Sequence, residues 1–290
     1  MSENTSANLK VSIKNLEALP AMPSVVQRIL SLPLDTEEGE RDLLKLIGTD
    51  PQISARIIGL SNTPMFGASK KVSSVSDAAM LLGITRVKSV AVGIAVMSTL
   101  TRHPMGKLKV QDLWLHSMGV ALAMRVLARA MPLRTRPLED EIFLAGLLHD
   151  IGFLVLNYID PKLSDELHAR LAENPESPVQ EVEAGLLELG HAEMGAQLAT
   201  HWDLPENVVS VLRYHHLPAD EGSDVGQPLV GLLNLAEKLL PAFGIAEFVT
   251  PEITEDEWLS FGIDPSRAED IASLIQEQTE QAKKMASNFG

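Results

Sequence analysis

Adjacent in the chain, His149 and Asp150 sit inside the apolar run Glu141-Ile-Phe-Leu-Ala-Gly-Leu-Leu-His-Asp-Ile-Gly-Phe-Leu-Val-Leu-Asn157. An imidazole and a carboxylate are costly to desolvate in such surroundings, and a metal ion is one of the few partners that suits both. Further candidate ligands are present. His116, in Leu113-Trp-Leu-His-Ser-Met-Gly-Val120, shares a helical face with Leu113, Gly119 and Val120 and is expected to point inward. His191 opens the segment His-Ala-Glu-Met-Gly-Ala-Gln-Leu-Ala-Thr-His-Trp202, whose Ala192, Gly195, Ala196 and Ala199 form a narrow stripe suited to tight helix packing. His215 and His216 follow Val208, Val209 and Leu212 at helical intervals and continue a buried stripe. Glu237, inside Leu232-Leu-Asn-Leu-Ala-Glu-Lys-Leu-Leu240, is a second carboxylate in an apolar helix.

Taken alone, an inward histidine is more often a hydrogen-bonded core residue than a ligand. Glu237 could pair with Lys238 or Arg213, and Asn234 could cap or bond within the core. The joint occurrence of these groups on four inward faces, with Asp150 among them, points instead to one shared polar pocket. Small residues around His149 (Ala145, Gly146 and Gly152, with Phe153 the exception) would let another backbone or an ion approach closely. His103, His168 and His201 are expected to be loop, surface and packing residues respectively.

The elements that must position these groups read as helical throughout. Apolar residues recur at three- and four-residue intervals in Met22 to Leu32, Glu40 to Ile47, Gln52 to Leu60, Ser74 to Leu82, Arg86 to Leu100, Gln111 to Ala130, Asp140 to Tyr158, Ala192 to Trp202 and Pro205 to His216. Asp256 to Phe261 and Pro265 to Met285 read as further helices. No alternating strand pattern of useful length is present, so the expected fold is all-α. Asp50-Pro51, Pro64 to Gly67, His103-Pro104-Met-Gly106, Pro132 to Pro137, Asn174 to Pro178 and Pro218 to Pro228 punctuate it. The expected organisation is a flexible terminus over residues 1–14, an N-terminal helical subdomain over 15–104, and a second helical subdomain over 105–290 that carries most of the histidines.

Composition narrows the chemistry. The 290 residues include no cysteine, which excludes disulfides and thiol catalysis and leaves His and carboxylates as metal ligands. A formal net charge of −15 argues against general nucleic-acid binding. No apolar run reaches the length of a membrane span and the first residues lack the order of a signal peptide, so a cytoplasmic protein without membrane attachment is expected.

His116, then His149-Asp150 in Gly-Leu-Leu-His-Asp-Ile-Gly, then a carboxylate in Leu-Ala-Glu-Lys-Leu, is similar to the His…His-Asp…Asp pattern of the HD superfamily of metal-dependent phosphohydrolases. The chain resembles more closely the HDOD domain, the HD-related output domain of bacterial signalling proteins. That resemblance rests on Leu19-Pro-Ala-Met-Pro23, Asp50-Pro51, Leu60-Ser-Asn62, Phe66-Gly67, Val75-Ser-Asp-Ala-Ala-Met-Leu-Leu-Gly83, Trp114-Leu-His-Ser117, Ala145-Gly-Leu-Leu-His-Asp-Ile-Gly152, His191-Ala-Glu-Met-Gly195, Trp202-Asp-Leu-Pro205 and Tyr214-His-His216. It covers about residues 15 to 240 and implies a multi-helix HD-like bundle.

The resemblance also implies ligands for one or two divalent ions, Fe, Mn, Zn or Mg. His116, His149 and Asp150 would hold the first, Asp150 would bridge, and His191, His215 and His216 would hold the second. Three features depart from the catalytic branches. Glu237 stands where Asp is usual, Leu217-Pro218 follows the paired histidines where the phosphodiesterase branch has Glu, and no Gly-Tyr-Pro signature follows. The HDOD family is generally regarded as non-catalytic. The expected function is therefore a regulatory module in bacterial signal transduction that binds a signalling protein partner or a small ligand. The alternatives are a phosphohydrolase acting on a nucleotide-type substrate, with Asp150 at its catalytic centre, and an empty or structural histidine cluster.

Overall fold

The computed structural model describes residues 19–62, 66, 68, 70–101, 106–240, 245 and 252–286. The expected boundary loop falls largely on residues 102–105, and His103 with it, outside the described residues; so do Gly67 and residues 1–18. As expected, the fold is all-α, with no strand among the described residues.

The N-terminal part comprises α1 (Ser24–Leu30), α2 (Glu37–Gly48), α3 (Pro51–Ser61), α4 (Val75–Leu82) and α5 (Ile84–Leu100). The Asp50-Pro51 punctuation acts as a helix start: Asp50 Oδ1 accepts from the amides of Gln52 (2.9 Å) and Ile53 (3.1 Å), and Pro51 occupies the first turn, where its missing N–H costs nothing. Asn62 clamps the following loop, accepting from the Val72 amide at 2.8 Å and donating to the Val72 carbonyl at 2.7 Å.

The remainder contains α6 (Val110–Ala130), α7 (Glu139–Leu148), α8 (Ile151–Ile159), α9 (Pro161–Glu173), α10 (Val179–Ala184), α11 (His191–His201), α12 (Glu206–Tyr214), α13 (Leu229–Leu239), α14 (Glu255–Ser260) and α15 (Ala268–Ala286), with short 3₁₀ turns at Glu221–Gly226 and Pro265–Arg267. One apolar cluster runs from Val26 on α1 through α5 and α8 to Leu212 on α12. A second joins the C-terminal half of α6 to α13, α14 and α15. The indole of Trp202 is buried in the first cluster and donates to the Pro20 carbonyl at 2.8 Å, tying the end of α11 to the start of the described chain.

Two expectations are corrected. The single helix expected over Asp140 to Tyr158 is broken at His149-Asp150: α7 ends at Leu148, and α8 begins at Ile151 after Asp150 adopts φ −97°, ψ 13°. The stretch Glu139–Ile159 has the length and hydropathy to cross a membrane, but 89% of its apolar window lies inside the fold, where α7 and α8 are central core helices. Helices α9 and α10 were not anticipated; Asp160-Pro161 starts α9 in the way that Asp50-Pro51 starts α3, accepting from the amides of Lys162 and Leu163.

Candidate metal centre

The break between α7 and α8 creates the site. In a continuous helix His149 and Asp150 would diverge by about 100°; here both side chains turn to one point, with His149 Nε2 3.1 Å from Asp150 Oδ2. Glycines set the neighbouring backbones close to that point. A Cβ at Gly146 would meet the backbone of Ala121 on α6, and a Cβ at Gly152 would overlap the carbonyl of His191. The small residues flanking His149 thus bring α6 and the start of α11, and with them His116 and His191, against the His-Asp pair.

The expected ligands come together as two trios, His116 with His149 and Glu237, and His191 with His215 and His216, with Asp150 between them rather than in the first alone. His116 Nε2 lies 3.2 Å from His149 Nε2 and 3.3 Å from Asp150 Oδ2, and Glu237 Oε1 on α13 reaches to 3.4 Å from His149 Nε2. The longer side chain of Glu237 therefore does reach the centre. On the other side, His191 Nε2 lies 3.2 Å from His215 Nε2 and 3.1 Å from His216 Nε2. His191 and His215 approach the other oxygen of the same aspartate, at 3.6 and 3.5 Å from Oδ1. Asp150 stands between the two trios with one oxygen toward each, the position of a bridging carboxylate. His149, Asp150, His191 and His215 have no exposed surface, whereas His216 keeps part of its surface in solvent.

Ring orientation shows which nitrogen each imidazole turns to the centre. Nδ1 of His149 lies 2.9 Å from the Gly146 carbonyl, Nδ1 of His215 lies 3.0 Å from the Leu212 carbonyl, and Nδ1 of His191 lies 2.8 Å from Glu183 Oε1. Each of these contacts is one a protonated Nδ1 would make, and each turns Nε2 toward Asp150. Three Nε2 atoms therefore converge on a fully buried carboxylate, neither oxygen of which has a hydrogen bond of good geometry. Burial, then the neighbouring charge of His216, keeps His215 neutral, its pKa pushed down to about 3. Burial, then His191, does the same to His216, also to about 3. Burial would raise the Asp150 carboxyl, but the surrounding imidazoles, His149 foremost, override it and hold the pKa well below the usual carboxylate range. A fully buried carboxylate surrounded by imidazole nitrogens is a donor set that suits a divalent cation.

The donor spacing fits one. Two nitrogens at about 2.0–2.1 Å from a common ion, subtending about 90–110°, are about 2.8–3.4 Å apart, which brackets the 3.1 and 3.2 Å separations here. His191, His215 and His216 could hold one ion and His116, His149 and Glu237 another. The all-nitrogen and oxygen donor set suits Zn, Mn or Fe.

One functional residue escaped the sequence reading. Glu183, buried on α10, accepts from both the amide (2.9 Å) and Nδ1 (2.8 Å) of His191 and so orients that ring. Its signal was present: Val179 precedes it by four residues, and Leu186 and Leu187 follow by three and four, which places Glu183 on an apolar helical face. Two histidines depart from expectation. His168 is half-buried rather than on the surface, its ring 5.4 Å from that of Phe153, which itself stacks on His191 at 4.2 Å. His201 is exposed, and its neighbour Trp202 does the packing.

Comparison with known proteins agrees with this architecture. A protein from Treponema pallidum of uncharacterised function is 27% identical over 215 residues, covering 73% of this chain and 39% of its own length. The crystal structure of a candidate signal transduction protein from Marinobacter aquaeolei is similar at 28% identity with a TM-score of 0.78, covering 94% of this chain and 60% of that one. The chain thus spans less than two thirds of the length of both relatives. A candidate phosphohydrolase from Shewanella amazonensis, 23% identical, shares the fold over 98% of this chain and 99% of its own, with a TM-score of 0.72. The HDOD domain model matches residues 19–218, a span that holds six of the seven clustered side chains, and the chain belongs to the HDOD domain family.

Proposed function

We propose that this chain is a cytoplasmic signal-transduction module built around a two-cation centre, which displays the conformation set by the bound ions to a protein partner or a small signalling ligand. The observation that carries metal binding is Asp150, fully buried and facing imidazole Nε2 atoms through both oxygens. Burial supports the regulatory reading over turnover. The outermost residues of the first trio, His116 and Glu237, are only 6% and 5% exposed, and a module whose ions organise six helices and loops needs no substrate path. With Asp150 shared, each trio offers four protein donors, enough to close the shell of a tetrahedral ion.

Hydrolysis of a phosphate ester is the second reading, favoured by the bridging position of Asp150 and the partial exposure of His216. A six-coordinate pair of ions in these trios would leave open positions and supply water activation and phosphate neutralisation. The residues would then divide their work: Glu183 fixes the His191 ring, Gly146 and Leu212 carbonyls fix His149 and His215, and Asp150 holds the two trios in register.

Metal content per chain, measured by plasma mass spectrometry after purification without chelator, aerobically and anaerobically, tests the proposal. About two equivalents are expected, falling sharply in His149→Ala; no stoichiometric metal in either preparation would overturn it. Metal-dependent hydrolysis of a bis(nitrophenyl) phosphate, abolished in folded His149→Ala, would move the assignment to the second reading.

A further inference from the structure

Away from the centre, the C-terminal end of α6 and the start of α15 border a recess of about 170 Å³ whose lining combines Arg125, Arg129, Arg267 and Asp270 with the apolar Val126, Ala130, Ile271 and Leu274. Arg125 lies nine residues beyond His116, ~14 Å along α6 at about 1.5 Å per residue, so the cavity is separate from the metal centre. Its charge runs against that of the molecule: in a chain of net charge −15, three arginines line one space with Asp270 the single carboxylate among the lining residues, and Asp264 acts on Arg267 from beside it. Arg125 donates to Glu139 at 2.6 Å, and Arg86 pairs with the same glutamate, so one carboxylate answers two cations. Arg129 and Arg267 form no ion pair among the described residues, and Arg129 and Arg86 both act on Arg125 as like charges. On the wall, the buried Oε1 of Gln278 has no hydrogen-bond partner among the described residues.

We propose that this cavity binds a small phosphorylated molecule, with Arg129 and Arg267 holding the phosphoryl oxygens and the apolar lining residues receiving a flat or hydrocarbon moiety. Guanidinium forks match tetrahedral oxyanions through paired N–H donors, and a cationic recess in an otherwise acidic surface focuses anions there. Leu274, 44% exposed at the edge of the cavity, supplies apolar surface that such a moiety would cover.

The test uses phenylphosphonate, which has a phosphoryl-like head and an aromatic ring and cannot be hydrolysed, titrated into the full chain with calorimetric and hydrogen-exchange readouts. Saturable binding with protection confined to residues 125–130 and 267–278 is expected, weakened at least tenfold in Arg129→Gln/Arg267→Gln and unchanged in His149→Ala. Arg129 and Arg267 are both exposed, so the double variant should fold. Undiminished binding in the arginine variant, loss in His149→Ala instead, or an equal loss in the control Arg28→Gln/Arg41→Gln would each overturn the proposal.

Discussion

Glu183 grips His191 twice, through the backbone amide at 2.9 Å and through ring Nδ1 at 2.8 Å, so the residue that starts α11 and the ring that faces Asp150 are set by a single carboxylate. A carboxylate behind a ligating imidazole fixes its tautomer and raises its basicity. Glu183→Gln should keep a hydrogen bond yet lower metal affinity by about 10–100-fold, with the loss confined to one of two equivalents. Competition against a chromophoric chelator measures this; two unchanged binding steps would show that Glu183 plays no part in the centre.

Gly152 is the corresponding steric determinant. Its Cα faces the His191 carbonyl so closely that a methyl group cannot be inserted without moving α11 away from α8. Gly152→Ala should destabilise the fold by about 1–3 kcal/mol, as overpacking does, and should separate His191 from Asp150. Urea denaturation and metal stoichiometry together check it, and a variant as stable and as metal-loaded as the parent would contradict the packing described here.

Much of this centre was legible because each donor lies on an apolar face: His116, His149, Asp150, His191, His215, His216 and Glu237 were all marked by polar groups recurring where burial was expected. What the periodicity could not show was the break at Asp150. Apart from His149 and Asp150, Ile142 through Leu156 are apolar on every face, so no stripe reveals a change of helix axis, and the fact that adjacent residues face the same point follows only from the interruption. Helix α9 was missed although Asp160-Pro161 repeats the Asp50-Pro51 start signal; its polar surface, from Asp165 and Glu166 to Arg170, weakened the apolar pattern. The cavity between α6 and α15 was hidden for another reason. Arg125, Arg129 and Arg267 are separated by up to 142 positions (267 minus 125), and only tertiary packing makes them a cluster.

The histidine pair makes a pH prediction for the metal-stripped protein. Burial together with neighbouring imidazoles depresses His215 and His216 from the ordinary 6.5 to about 3. The unfolded chain therefore takes up protons at these sites below about pH 6.5 while the folded chain does not, and stability present above 6.5 is lost as pH falls toward 3. Asp150, depressed below 3.8, pulls in the same direction at the acid end of that window. Thermal unfolding of chelator-treated protein should show a midpoint that is flat from pH 8 to 6.5 and declines by pH 5, less steeply in His216→Ala. A midpoint independent of pH over that range would show that these rings are not held neutral.

Asp150 and the outer histidines make separable predictions about stoichiometry. Asp150 faces His116 and His149 through Oδ2, and His191 and His215 through Oδ1, whereas His216 contacts the centre through His191 and its own trio. Removing charge at the bridge should therefore affect both ions, and removing an outer imidazole only one. Asp150→Asn, nearly isosteric, should drop bound metal from about two equivalents to well under one. His216→Ala should retain about one, held by His116, His149, Glu237 and Asp150. The partial exposure of His216 makes its truncation the milder structural change, so a folded His216→Ala that lost both ions together would mean that the two trios bind as a single cooperative unit and that Asp150 does more than join two independent sites.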